Sequence, residues 1–283
     1  MKRPAEIQKQ ILGTQTLVNL TGVFEGIASM RIAQIKNQVQ QSESYFDRLW
    51  QMYSQITIGT PFGFGRRNAE DEVIDKELFI VITAEGGFSG DIDQKIISWM
   101  LEHYDKEKND IIVIGHHGAI QLAQRSTSFK KYFKLPTRDD NINVSPIIRE
   151  VQKYKQTSVF YQTYVSLSVQ DVKRISLSKA VEDQGKDAGK GEEIINEVTY
   201  LFEPSVFAVV NHLERSMMKI ALTQVILESK LAQYASRFRA MTASHDLASE
   251  SLSDYKLAFH RSKRAVKDER LKEMINGLRK ARV

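Results

Sequence analysis

"LAQYASRFRAMTASHDLASESLSDYKLAFHRSKRAV", residues 231–266, places Leu231, Tyr234, Phe238, Met241, His245, Ala248, Leu252, Tyr255, Phe259, Ser262 and Val266 in alternating steps of three and four. That spacing is the seam of a coiled coil, because it returns each residue to one stripe of a helix. Upstream, Leu213, Met217, Ile220, Gln224 and Leu227 keep the same register, so the seam holds for about eight heptads. It predicts one helix from about Ser205 to Leu278, on the order of 110 Å long at ~1.5 Å per residue. A helix of that length must extend beyond any globular body it is attached to.

A seam cannot remain in water, and the N-terminal region supplies its partner. Ile32, Ile35, Val39, Ser42, Phe46, Leu49, Tyr53 and Ile56 follow the same alternation. Leu17, Leu20, Phe24 and Ile27 read as a second short seam, offset by about one residue, which implies a register slip near residues 29–31. Gly13, Gly22 and Gly26 each cost a helix about 1 kcal/mol relative to alanine. The expectation they raise is a closely packed neighbour, or a helix held up by its surroundings.

Between the helices the pattern changes to alternating α and β. "ELFIVIT" (77–83) and "DIIVIG" (110–115) are short β-rich runs, followed by helical segments at about 92–107 and 116–131. This βαβ order favours a parallel sheet. "SVFYQTYVSLSVQDVKRISLS" reads as two further strands and "EEIINEVTYLF" as another; "VEDQGKDAGKGEE" reads as a turn or mobile loop. "TPFGFGRRNAEDEV" links the first helix to this material. The predicted fold is therefore α/β: a long antiparallel two-helix coiled coil formed by the N- and C-terminal helices, with an inserted Rossmann-like α/β domain. The predicted boundaries are 1–58 for the N-terminal helix, 59–204 for the α/β base and 205–283 for the C-terminal helix.

The chemistry-bearing candidates are few. "ITAEGGFSGDID", residues 82–93, sits between a strand and a helix like a phosphate loop. A phosphate loop needs a Lys-Ser/Thr pair, whereas this one has no lysine and sets Glu85 and Asp91 where an anion would lie. The glycines at 86, 87 and 90 also miss the dinucleotide spacing. The segment reads as a structural turn. His116 and His117 are adjacent, so they project in different directions and suit one metal ion poorly. His245 falls on the seam and reads as a core histidine or a polar register device. No catalytic residue, metal site or cofactor is expected.

Zero cysteines remove disulfides, thiolate metal sites and cysteine nucleophiles together. No apolar run is long enough to span a membrane, and "MKRPAEIQKQ" lacks the apolar core of a signal peptide. The net charge of +5 is uneven: from Lys256 to Val283 ten basic residues face only Asp268, Glu269 and Glu273, so this arm carries +7 and the remainder −2. A basic arm seeks an acidic partner. Nucleic acid is not expected, because the arm's aromatics, Tyr255 and Phe259, belong to the seam and are not free to stack on bases.

"YLFEPS" (200–205) followed by "LESKLAQYASRFRAMTASHDLA" resembles the gamma subunit of F-type ATP synthases, on Glu203, Pro204, Ser205, Glu228, Ser229, Lys230, Arg237, Ala240, Met241 and Ala248. "HRSKRAVKDERLKEMINGL" is similar to that family's C-terminal pattern at Arg261, Arg264, Glu273 and Gly277. "VITAEGGFSGDID" and "VIGHHGA" are similar to its central segments. The N-terminal pattern differs: "TQTLVNLTGVFEGIASMR" keeps only helical character, which suggests a divergent member or a specialised paralogue. The resemblance implies a non-catalytic central rotor shaft that couples rotation to nucleotide turnover in a surrounding ring and to ion translocation. It implies alpha- and beta-type ring subunits, an epsilon-type subunit and a membrane c-type ring as partners. One copy per complex, peripheral on the cytoplasmic face of the membrane, is expected. Arg261, Lys263, Arg264, Lys267 and Arg270 would face acidic loops of the ring, and Leu271, Met274, Ile275 and Leu278 would turn in an apolar bearing. A coiled-coil adaptor bridging acidic partners, and a nucleotide-binding enzyme built on the α/β domain, are the competing readings.

Overall fold

The computed structural model describes residues 3–56, 73–136, 142–188 and 201–281. Helix α1 runs Pro4–Ile56 and helix α6 runs Val206–Ala281. Between them lie β1 Ile74–Ile82, α2 Ile92–Glu102, β2 Asn109–Ile114, α3 His116–Gln124, β3 Lys131–Phe133, α4 Ser145–Val151, β4 Tyr154–Tyr164, β5 Gln170–Ser176 and α5 Leu177–Ala188. The chain divides into two compact units, one of Met1–Ile27 with Phe238–Val283 and the other of Ala28–Arg237. Each is described in turn.

The larger unit is built on a sheet of order β3-β2-β1-β4-β5. β1 pairs in parallel with both β2 and β4, β2 pairs in parallel with β3, and β5 closes the edge antiparallel to β4. Alternation along the strands separates two cores, since successive side chains point to opposite faces. Phe79, Val81, Ile111, Val113 and Phe160 join Ile96, Ile97 and Met100 of α2 and Leu122 of α3. Leu78, Ile80, Ile82, Ile112, Ile114, Val159 and Tyr161 face the other way, onto Phe46 and Tyr53 of α1, residues of α4 and α5, and Val210, Leu213, Met217, Met218 and Leu222 of α6. The sheet is thus covered on both faces, which is why β1 and β2 read as continuous apolar runs.

The predicted seam of α1 is in place: Ile32, Ile35, Phe46 and Tyr53 are buried, and Val39, Ser42, Leu49 and Ile56 are half-buried. The predicted register slip is not. Leu17, Leu20 and Ile27 are 56%, 49% and 41% exposed. The covered positions are instead Ile7, Ile11, Thr14, Val18, Thr21, Glu25 and Ala28, which continue the same three-four spacing without interruption. Apolar periodicity misled the reading because polar Thr14, Thr21 and Glu25 occupy the true seam.

In the smaller unit α1 and α6 are antiparallel neighbours. His245 Nδ1 lies 3.1 Å from the Val18 carbonyl and 3.3 Å from Thr21 Oγ1, and Thr242 Oγ1 donates to Glu25 Oε1 at 2.8 Å. Position rises along α1 as it falls along α6. Met241, Leu252 and Ser262 are buried on the predicted α6 seam. His245 is the polar seam residue expected of it.

Of the two readings raised by the α1 glycines, a closely packed neighbour and a helix held up by its surroundings, the first is not met within the chain. A Cβ at Gly13 or Gly26 would meet nothing within 4 Å, and at Gly22 only the His245 ring at an ordinary 3.6 Å. Close packing within the chain does not explain them. Gly13→Ala and Gly26→Ala are each expected to stabilise the isolated chain by about 1 kcal/mol, from helix propensity alone, as a higher urea midpoint with unchanged slope.

Two further readings are corrected. "VEDQGKDA", expected to be a turn or loop, is part of α5. Its Gly185 is required by packing, because a Cβ there would stand 2.1 Å from the Trp50 ring. The second predicted helix ends at Gln124, and residues 131–133 form an edge strand instead. The "TPFGFGRRNAEDEV" linker and most of the "EEIINEVTYLF" strand fall outside the described residues.

Candidate functional site: a filled crevice at the end of the sheet

In doubly wound sheets ligands enter beyond the carboxyl ends of the strands, where the strand order reverses. Here that place is the space after β1 and β4, bounded by the loop 83–91 and the first turn of α3. Gly115 opens that turn with φ 102 and Gly90 closes the loop with φ 66. The three predicted glycines therefore lie at the one location in the fold where a phosphate would sit.

The chain fills this location with its own carboxylates. Glu85 Oε2 accepts from the backbone N–H of His116, at the start of α3, at 3.1 Å and from Leu135 N at 3.3 Å. Its Oε1 accepts from the Tyr132 hydroxyl at 3.2 Å. A helix N-terminus attracts an anion, and Glu85 supplies one. Asp93, buried, accepts through Oδ1 from Ala84 N at 3.1 Å and from Gln162 Nε2 at 3.0 Å. Its Oδ2 accepts from His117 Nδ1 at 3.1 Å. His116 instead sets its ring edge-on to Tyr132, so the two adjacent histidines serve different partners.

The far wall of the crevice is α6. Ser229 Oγ donates to Gln162 Oε1 at 2.5 Å, and Gln233 Nε2 lies 3.0 Å from Ser229 Oγ and 3.4 Å from Gln162 Oε1. Thr163 Oγ1 donates to Glu228, and Lys230 Nζ to the Pro136 carbonyl at 2.9 Å. One turn on, Ser236 Oγ donates to Ser89 O at 2.7 Å, while Arg237 donates to Gly87 O at 3.1 Å and Gly86 O at 3.2 Å. These bonds hold the glycine loop from both sides of Phe88, whose φ is 66. Gln162, Ser229, Gln233 and Ser236 are all buried, so the joint between helix and sheet is polar and internally satisfied. Burial, with Glu228 close by, pushes the Tyr161 hydroxyl well above its ordinary value.

Glu228, Ser229, Lys230 and Arg237 were read from sequence only as a family signature. The structure assigns them work: they lock α6 onto the sheet. The available signal was a run of polar residues flanking the seam positions Leu227, Leu231, Tyr234 and Phe238.

The hydrogen bond to the Asp93 carboxylate raises the His117 pKa; burial and Arg237 oppose it and Glu85 assists. Folded His117 therefore titrates above the unfolded value of about 6.5. Its stabilising contribution is complete below that pH and is lost as pH rises through the folded pKa. Denaturation midpoints should fall from pH 6 toward pH 8, and His117→Gln should flatten that dependence. An equal slope in the variant would remove His117 as its source.

The predicted partner residues lie together on α6 in the smaller unit. Arg261, Lys263, Arg264, Lys267 and Arg270 are exposed, as are Leu271, Met274, Ile275 and Leu278. Arg264, Lys267, Leu271, Met274 and Leu278 step by three and four, so basic and apolar residues form one continuous stripe.

The family model for ATP synthase matches residues 4–279, and the curated relatives it resembles are gamma chains. The chain belongs to the ATP synthase gamma-chain family. The gamma chain of Cytophaga hutchinsonii is 22% identical over 287 residues, covering 96% of each chain. That of Halothermothrix orenii is 20% identical over 288 residues, covering 98% of each. Among solved structures, the rotor of Euglena gracilis mitochondrial ATP synthase superposes with a TM-score of 0.62 at 12% identity, covering 93% of this chain and 98% of that one. The central stalk of the Tetrahymena thermophila mitochondrial enzyme gives 0.55 at 14% identity, covering 79% and 98%. As a gamma-type chain the protein is a non-catalytic subunit with a rotary shaft role. The adaptor reading has no support. The filled crevice fits this, because a gamma-type subunit leaves nucleotide chemistry to other chains.

Proposed function

We propose that the chain is the central shaft of a rotary ATPase, with helical arms 1–58 and 205–283 flanking a base of residues 59–204. The arms turn inside a ring of alpha- and beta-type subunits, and the base meets an epsilon-type subunit and a membrane c-type ring. One copy serves each complex, on the cytoplasmic face of the membrane. The described helices include none long and apolar enough to cross a membrane, which suits peripheral attachment. Solved neighbours named as rotor, F1/c-ring and central-stalk assemblies support this setting.

The observation that carries the reading is the exposed stripe Arg264-Lys267-Leu271-Met274-Leu278 on α6. Its cations suit acidic loops that must be passed and released, since charge complementarity at an exposed rim governs steering more than tight binding. Rotation then biases each nucleotide site in turn, and nucleotide occupancy biases rotation by the same free energy. Replacing Arg261, Arg264 and Lys267 together by glutamate is expected to leave the isolated chain's stability within about 0.5 kcal/mol. Co-assembly with ring subunits should weaken at low salt and recover partly as salt screens the contacts. Gel filtration of the co-expressed complex measures both, and unchanged assembly would remove these residues from the interface.

A further inference from the structure

The apolar seam of α1 in the larger unit has one polar member, Ser42, between Val39 and Phe46. Beside it opens a cleft of about 450 Å³, lined by Ser42, by residues 142–145 at the start of α4, and by Lys219, Ile220 and Thr223 of α6. Of these residues Asn143 is exposed and the others are buried or half-buried. An apolar floor of Ile142, Val144 and Ile220 with a few polar groups, at this size, is what a small-molecule site requires. The polar groups are donors. Lys219 has no acceptor, and the three hydroxyls can each donate. Asn143 Oδ1 accepts from Ser145 N at 3.1 Å, which leaves the amide nitrogen to donate elsewhere. No carboxylate or histidine among the described residues lines the cleft, so a metal ion would meet a lysine in place of a ligand. Lys130, Lys131, Lys153 and Lys155 each have a carboxylate within 3.0 Å, whereas none among the described residues pairs with half-buried Lys219. An anion beside it would offset the cost of taking its charge out of water.

We propose that this cleft binds a phosphate group, as inorganic phosphate or as the head of a small phosphate ester, with Lys219 as counter-ion and Ser42, Asn143, Ser145 and Thr223 as hydrogen-bond donors. The site is independent of the shaft reading. Its donors outnumber the oxygens of a carboxylate and suit the tetrahedral set of a phosphate. A single lysine is too little for nucleic acid, whose binding grows with the number of phosphates neutralised. The cleft is larger than the anion alone, so the carbon part of an ester has room against Ile142 and Ile220. Because α1, α6 and the segment entering α4 all contribute, a bound phosphate ties together three stretches distant in sequence and stabilises their packing by linkage.

The test titrates the full chain with inorganic phosphate, phenyl phosphate or acetate at fixed ionic strength, reading binding by phosphorus NMR line width and stability by the urea midpoint. At least one of the phosphates should bind with a dissociation constant on the order of 1 mM or tighter and raise the midpoint, and acetate should do neither. Tighter binding of phenyl phosphate would assign the site to an ester, and tighter binding of inorganic phosphate to the free anion. Lys219→Gln should weaken binding about tenfold or more, Lys219→Arg less, and Ser42→Ala/Thr223→Ala several-fold. Phosphate also stabilises proteins generally by exclusion from their surface, so an equal midpoint rise in the parent and Lys219→Gln would overturn the proposal. A parent that leaves both phosphate resonances sharp would overturn it too, as would acetate raising the midpoint as much as phosphate. Should Lys219→Gln fail to fold, the paired hydroxyl variant decides, and unchanged phosphate affinity there would remove the site.

Discussion

Replacing Gly115 with alanine is expected to unfold the larger unit, at a cost of about 4 kcal/mol or more, the range reserved for severe steric and backbone conflicts. Two effects combine. The residue's φ of 102 is open to glycine and strained for any side chain. The added Cβ would also stand 2.0 Å from the Thr83 carbonyl oxygen and 2.7 Å from its carbon, both main-chain atoms of the segment leaving β1. Neither can move without breaking the bonds from Thr83 N to Ile114 O and from Gly115 N to Phe133 O, which align β1, β2 and β3. Both tryptophans, Trp50 on α1 and Trp99 on α2, lie in this unit. Their fluorescence against urea is therefore a direct reading, and a native-like midpoint in the variant would refute the steric account.

Asp93→Leu should lose about 3 kcal/mol. The Ala84 N–H and the Gln162 amide would remain buried without their acceptor, and Gln162 would no longer be held in position for Ser229 of α6. Asp93→Asn keeps an acceptor oxygen at nearly the same place and should lose much less. The pair separates lost hydrogen bonds from lost packing: equal losses in both variants would mean that the network contributes little. Because this joint links α6 to the sheet, the leucine variant should also weaken torque transfer in any assembly that still forms.

Much of this protein is legible in its residues. The α6 seam from Leu213 to Val266, the α1 seam from Ile32 to Ile56 and the apolar runs of β1 and β2 follow from local spacing. The glycine loop was read as a structural turn, since lysine was missing and Glu85 was badly placed for an anion. What that reading did not contain is that Glu85 itself occupies the anion position on α3. Leu17 and Leu20 were assigned to the wrong face because polar Thr14, Thr21 and Glu25 break the apolar spacing of the face that is covered. "VEDQGKDA" looked like a loop because glycine usually interrupts a helix, whereas here Gly185 makes room for Trp50, distant along the chain.

Spacing of three and four residues is a property of near neighbours, so helices, strands and their order could be read from the chain without its partners in space. Which stripe is covered depends on segments some two hundred residues away: Thr21 and Glu25 are seam residues because His245 and Thr242 stand opposite to bond them. The same holds for the crevice. Gln162, Ser229 and Gln233 are ordinary polar residues in sequence, and only folding desolvates them together, where each must bond the others. Periodicity settles what forms; the cost of burying an unpaired polar group settles what faces what.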